Sequence, residues 1–206
     1  MNTSQLKKWM LLSFMVSGLM SCTQKEVTLG SLDVIPIPSE VVKLDDGSSF
    51  VIDGATKICY PEGNEKMKRN AEFLASYIKK IAATEVKLST KEGDNAIVLS
   101  LDNTLTEEEG YELNVSEERI SLKGKTEAGV FYGIQTLHKA LPITVGTTLA
   151  AIPCGSVKDS PRFGYRGFMV DVGRHFFGVD YLKEIIDMLA LHNINYFHWH
   201  LTEDQG

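Results

Sequence analysis

Two short apolar runs, "GFMVDV" at 167–172 and "NYFHWHL" at 195–201, flank a helical pattern, and no other feature narrows the fold as far. The first, a continuous apolar strand, belongs in a parallel sheet covered on both faces, because a strand with one wet face would alternate, and the second carries alternating histidines. Between them, Leu182, Ile185, Ile186 and Leu189 recur at helical spacing and predict a helix from Val179 to His192 with those residues inward. Asp180 is placed to cap or favour its N-terminus, and Asn193 suits its end. The unit is therefore βαβ. One such unit leaves strand edges and a sheet face uncovered. The sequence is accordingly expected to be cut partway into an α/β domain.

The preceding region has a different pattern. "VVKL" and "SFVID" flank Asp45-Asp46-Gly47, which reads as a hairpin turn. Met67, Ala71, Leu74, Ile78 and Ile81 put an apolar stripe on a helix from Asn64 to about Ala82. "NAIVLSL" reads as a buried strand, and "GYELNVS" and "RISLKG" as a hairpin pair, with Glu107, Glu108 and Glu109 solvated in the turn before it. A second helix is expected from Glu127 to Ala140, with Val130, Ile134, Leu137 and Leu141 facing the sheet and Pro142 stopping it. Residues 32–155 thus form an α+β domain. "GSVKDSPRFGYRG" reads as a linker, with the boundary near Asp159 and the second segment running from 160 to 206.

At the other end, Lys7 and Lys8 precede an apolar run from Trp9 to Met20. That run is short of the roughly 20 residues a membrane-spanning helix needs, and reads as a secretory signal. "LMSC" resembles a lipobox, which implies cleavage after residue 21, a lipid on Cys22 and an exported, membrane-anchored lipoprotein, with residues 22–31 as a polar tether. Cys59 and Cys154 are too few for a disulfide framework and read as buried apolar residues. With 21 Lys and Arg against 27 Asp and Glu the net charge is −6, and loss of Lys7 and Lys8 makes it −8. That balance, without clustered basic residues, gives a nucleic-acid backbone nothing to bind.

Ligands of α/β domains bind beyond the C-terminal ends of the strands, which places Asp171 to His175 and Thr202 to Asp204 on one rim. Gly173 and Gly178 have P-loop separation, but Val179 and Asp180 stand where Lys and Ser or Thr are required, and no dinucleotide fingerprint follows the strand. His198 and His200 share a strand face and could hold a divalent ion with Glu203, or could simply be packed and hydrogen-bonded. Arg174 could donate to two adjacent sugar hydroxyls, or form a structural ion pair with Asp171 or Asp204.

The stretch from Arg162 to Gly206, with "DVGRHF" and "HWHLTEDQG", closely resembles the start of the catalytic barrel of glycoside hydrolase family 20, the β-N-acetylhexosaminidases. The upstream region is similar to the domain that commonly precedes that barrel, through "IPIP" and "GVFYGIQTLHKAL". The resemblance implies an α+β domain followed by the first βαβ of a truncated (β/α)8 TIM barrel. It implies that Arg174 binds hydroxyls of the terminal sugar of N-acetylhexosamine-containing glycans. Glu203 would belong to the polar network around the catalytic acid, at a position where aspartate is more familiar. His198 and His200 match a strand whose histidines are not metal ligands, so no metal or cofactor is implied. The family's chemistry is substrate-assisted and retaining, using the sugar's acetamido oxygen with an Asp-Glu pair on a later strand. No matching pair occurs in these residues, so this chain alone is expected to be inactive. The alternative is a noncatalytic glycan-binding lipoprotein from a shortened gene.

Overall fold

The computed structural model describes residues 26–144 and 149–203; Cys22 and the run read as a secretory signal lie outside the described residues. Along the chain run β1 (Val27–Leu29), β2 (Glu40–Lys43), β3 (Ser49–Ile52), β4 (Lys57–Cys59), α1 (Glu65–Ala82), β5 (Lys87–Ser89), β6 (Ala96–Leu101), β7 (Tyr111–Val115), β8 (Arg119–Gly124) and α2 (Glu127–Ala140). They are followed by β9 (Leu149–Pro153), β10 (Gly155–Asp159), β11 (Gly167–Asp171), α3 (Val179–Leu191) and β12 (Tyr196–His200). Among the described residues no helix is long and apolar enough to cross a membrane.

A seven-stranded mixed sheet, ordered β2-β10-β7-β8-β6-β4-β5, forms the body of the first domain, and a smaller sheet, β1-β9-β3, adjoins it. The helices form where their stripes predict. Met67, Ala71, Leu74 and Ile78 of α1 are buried, while Ile81 is only half-buried at the end of the stripe. Val130, Ile134 and Leu137 of α2 are buried too, with Leu141 just after it. Asn64 caps α1 by accepting from the Met67 amide at 3.0 Å, and Thr126 caps α2. Helix α2 lies so close to the sheet that a Cβ on Gly133 would sit 2.3 Å from a Leu122 methyl. Beneath it the Tyr111 hydroxyl and Thr136 Oγ1, both buried, satisfy one another at 2.6 Å. Cys59 and Cys154 are buried and unbridged, and burial raises the Cys59 thiol above its ordinary pKa.

Three local readings change in the folded chain. The Asp45-Asp46-Gly47 turn exists, with Gly47 at φ 78°, but it makes no hairpin. β2 pairs with β10 and β3 with β9, so both run antiparallel along one continuous later segment, and the turn bulges out opposite Cys154. Leu44 N–H donates to the Cys154 carbonyl, and Cys154 N–H donates to the Ser48 carbonyl. The supposed linker begins with β10, held on both edges by β2 and β7, so the domain continues past 155 through Asp159. The supposed tether contains β1, which pairs in parallel with β9. In each case the partner lies far along the chain, where a local pattern carries no record of it.

The second segment is a βαβ unit: β11 and β12 are parallel and α3 connects them. Asn193, at φ 59°, ends α3 with the Ile194 amide donating to Leu189 O and the Asn193 amide to Ala190 O, a Schellman stop. The N-cap of α3 is Gly178 without a side-chain bond; Asp180 acts only as a charge in the first turn. Leu182 is buried and Ile185 and Leu189 are partly buried, but Ile186 is exposed, against the inward stripe expected of it.

Candidate active-site rim

The pairing register sets Asp171, the last residue of β11, opposite His200, the last of β12. Beyond them the chain turns sharply. Asp171 Oδ1 accepts from the Gly173 and Arg174 amides, each at 3.0 Å, and Oδ2 accepts from Arg174 Nη1 at 2.9 Å. The loop after β12 comes equally close, since a Cβ on Gly173 would lie 3.0 Å from the Thr202 carbonyl carbon. A side chain at 173 would push the two rim loops apart.

Arg174 thereby reaches across both loops. Its Nε lies 2.5 Å from Glu203 Oε1, a charge contact outside hydrogen-bond alignment, while Nη1 bonds Asp171. The guanidinium is held by two carboxylates, yet the Arg174 side chain as a whole remains 69% exposed, whereas that of Asp171 is only 19% exposed. The Arg174 amide, the Arg174 charge and His200 hold the Asp171 carboxyl below its ordinary pKa. Such an arrangement presents a forked, oriented set of donors to solvent with its charge already balanced from behind. It suits neutral polar ligands with adjacent acceptors, such as sugar hydroxyls.

Of the residues singled out by sequence, Arg174 and Glu203 are thus brought together, and Arg174 pairs with Asp171, while Asp204, the other expected partner, lies outside the described residues. The proposed metal pair changes. His198 is exposed and its ring centre lies 6.1 Å from that of His200. The three groups that could share an ion are instead Asp171, His200 and Glu203, with ligand atoms all within 4.8 Å of one another. The Arg174 guanidinium contacts both carboxylates of that set, so a divalent ion would compete with a resident cation. His200 Nε2 is buried without a hydrogen-bond partner among the described residues. The sequence marks His200 only as one of two alternating histidines.

Sequence reasoning missed the second polar cluster. Glu109 is not solvated with its neighbours Glu107 and Glu108; its carboxylate pairs with Arg166 at 2.8 Å, and the two side chains are 26% and 15% exposed. No pattern distinguishes the third acid of a run from the first two. A cleft of about 350 Å³ also lies away from the rim, between the domains beside Glu109, Tyr132 and Arg166.

Comparison with known proteins agrees with this architecture. Residues 31–160 match the profile for glycosyl hydrolase family 20, domain 2, and residues 163–206 that family's catalytic domain. A beta-hexosaminidase of Porphyromonas gingivalis is 39% identical over 203 residues, spanning 92% of this chain and 26% of that protein. A beta-N-acetylhexosaminidase of Cellulomonas fimi is 33% identical over 178 residues, spanning 84% of this chain and 36% of that one. Among solved structures, the Streptomyces plicatus N-acetyl-beta-hexosaminidase in complex with Thio-NAglucal superposes with a TM-score of 0.78 at 31% identity, covering 88% of this chain and 37% of that chain. The chain therefore spans about a quarter to a little over a third of the length of these relatives.

Proposed function

The chain belongs to glycoside hydrolase family 20, and from that premise we propose that a protein carrying it hydrolyses terminal, non-reducing N-acetylhexosamine residues from glycans. The observation that carries the reading is Arg174: a guanidinium fixed by Asp171 and Glu203 at the C-terminal rim of a parallel sheet, and still open to solvent. In this reading Arg174 donates two hydrogen bonds to neighbouring hydroxyls of the outermost sugar, so that the ring enters in one orientation. Asp171 fixes the guanidinium plane from the β11 side. Glu203 does so from the β12 side and links Arg174 to the polar network around the general acid.

Substrate-assisted, retaining chemistry would follow. The acetamido oxygen attacks the anomeric carbon, a glutamic acid protonates the leaving oxygen, and an aspartate orients the acetamido group. Those two acids have no counterpart in these 206 residues. In this reading Arg174 and Glu203 serve substrate orientation and not proton transfer. We further propose that the protein is exported and held at a membrane by a lipid on Cys22, on the strength of the "LMSC" pattern behind an apolar leader. Mass spectrometry of Cys22 from a native host would detect or exclude the acyl groups.

The activity test is release of a chromogen from an aryl N-acetylglucosaminide by the protein carrying this chain together with the rest of the catalytic barrel. Release that depends on Arg174 supports the reading. Glycan binding without any release would favour the noncatalytic alternative, and neither binding nor release would sink both.

A further inference from the structure

We infer that Arg166 is a positioning residue through which the first domain aligns the two rim strands; its importance for function rests on the sugar-site reading above. Arg166 immediately precedes β11, at the opposite end of that strand from Asp171. Its amide donates to Asn195 Oδ1 at 2.9 Å, and its carbonyl accepts from the Asn195 and Tyr196 amides at 3.0 and 3.1 Å. The bases of β11 and β12 are thereby stitched together. The guanidinium adds Nε to the Asn193 carbonyl at 2.7 Å and Nη1 to the Phe163 carbonyl at 2.8 Å.

The remaining contact comes from the other domain. Glu109 Oε2 lies 2.8 Å from Arg166 Nη2, as a charge contact off hydrogen-bond alignment, and Glu109 Oε1 accepts from Asn195 Nδ2 at 3.4 Å. One carboxylate of the first domain therefore holds the base of both strands, one oxygen to each. Tyr132 of α2 lies under the guanidinium, with its ring centre 5.3 Å away. This cluster is more enclosed than an ordinary surface pair, so solvent screens it less.

The rim needs such a strut because its guanidinium must touch both strands' loops at once. Asp171 comes from β11 and Glu203 follows β12, so any slide of one strand along the other moves the two carboxylates apart. A shift by one residue would turn each side chain to the other face. The register that places Gly167 beside Tyr196 is the one that places Asp171 beside His200. Fixing the strand bases fixes the rim, about 13 Å away along the strands.

Hydrogen exchange of this chain tests the inference. Arg166→Met should speed exchange roughly tenfold or more at the Asn195 and Tyr196 amides, and also at the rim amides of Val172, Gly173 and Arg174, while β6 and β8 amides stay unchanged. Glu109→Gln, which keeps an acceptor but removes the charge, should give the same pattern at smaller amplitude. Acceleration confined to Asn195 and Tyr196, with the rim amides untouched, means a merely local structural bond and overturns the proposal. If Arg166→Met does not fold, Glu109→Gln and Glu109→Ala decide, and unaltered rim amides in both overturn it equally. An N-acetylglucosamine titration of the protein carrying this chain together with the rest of the catalytic barrel is run in parallel. A wild-type protein of that kind that ignores the sugar counts against the functional reading, whereas the exchange pattern decides the positioning role by itself.

Discussion

Replacement of Arg174 by lysine separates a binding group from a structural one, because the structure assigns very different sizes to its two effects. Arg174 is 69% exposed and its ion pairs face solvent, so they contribute on the order of 0–1 kcal/mol to folding. Lysine keeps the charge, so the two carboxylates retain a cation and the folded state loses less still. A bound sugar meets a different loss. The fork that lets one group donate to two adjacent hydroxyls becomes a single point donor. One charge-assisted hydrogen bond is worth about 1.5–3 kcal/mol, which corresponds to roughly a ten- to 150-fold drop in kcat/KM. Arg174→Lys in the enzyme carrying this chain should therefore lower kcat/KM for an aryl N-acetylglucosaminide by that factor. Its unfolding free energy from urea melts should remain within about 0.5 kcal/mol of the parent's. The opposite pattern, lost stability with kcat/KM intact, would show Arg174 to be a structural clamp between the loops and would refute the assignment.

Further outcomes follow from the first domain and the interface. Gly133→Ala should destabilise by about 1–3 kcal/mol in urea melts, because the added methyl meets Leu122 at 2.3 Å. Tyr111→Phe should cost about 1–2 kcal/mol by stranding the buried Thr136 hydroxyl, and adding Thr136→Val should recover part of that loss. Lys139, whose Nζ donates to the Leu191 carbonyl at the end of α3 at 3.0 Å, has its pKa pushed down from 10.5 to about 8 by burial. Between pH 8 and 10.5 the unfolded chain holds a proton that the folded one has released, so this group makes stability rise with pH across that window. Lys139→Met should flatten the rise in thermal melts, and an unchanged slope would discharge Lys139 as its source.

What the sequence determined alone was whatever repeats along the chain or follows from adjacent residues. The stripes of α1 and α2, the Asn193 stop of α3, the strand character of β11 and β12 and the location of Arg174 at a strand end are of this kind. Each is set by the 3.6- or two-residue period, by the left-handed tolerance of one residue, or by strand polarity. Tertiary structure decided everything that depends on a distant partner. Asp45-Asp46-Gly47 turns the chain as its residues require, yet β2 and β3 part because β9 and β10, a hundred residues later, offer both of them an edge. Glu109 leaves solvent only because Arg166 and Asn195 reach it from another domain. Asp171, and not His198, joins His200 because parallel register brings the two strand ends level. A local pattern records the preferences of its own backbone and solvent exposure; the identity of a long-range neighbour is settled only when the whole chain packs.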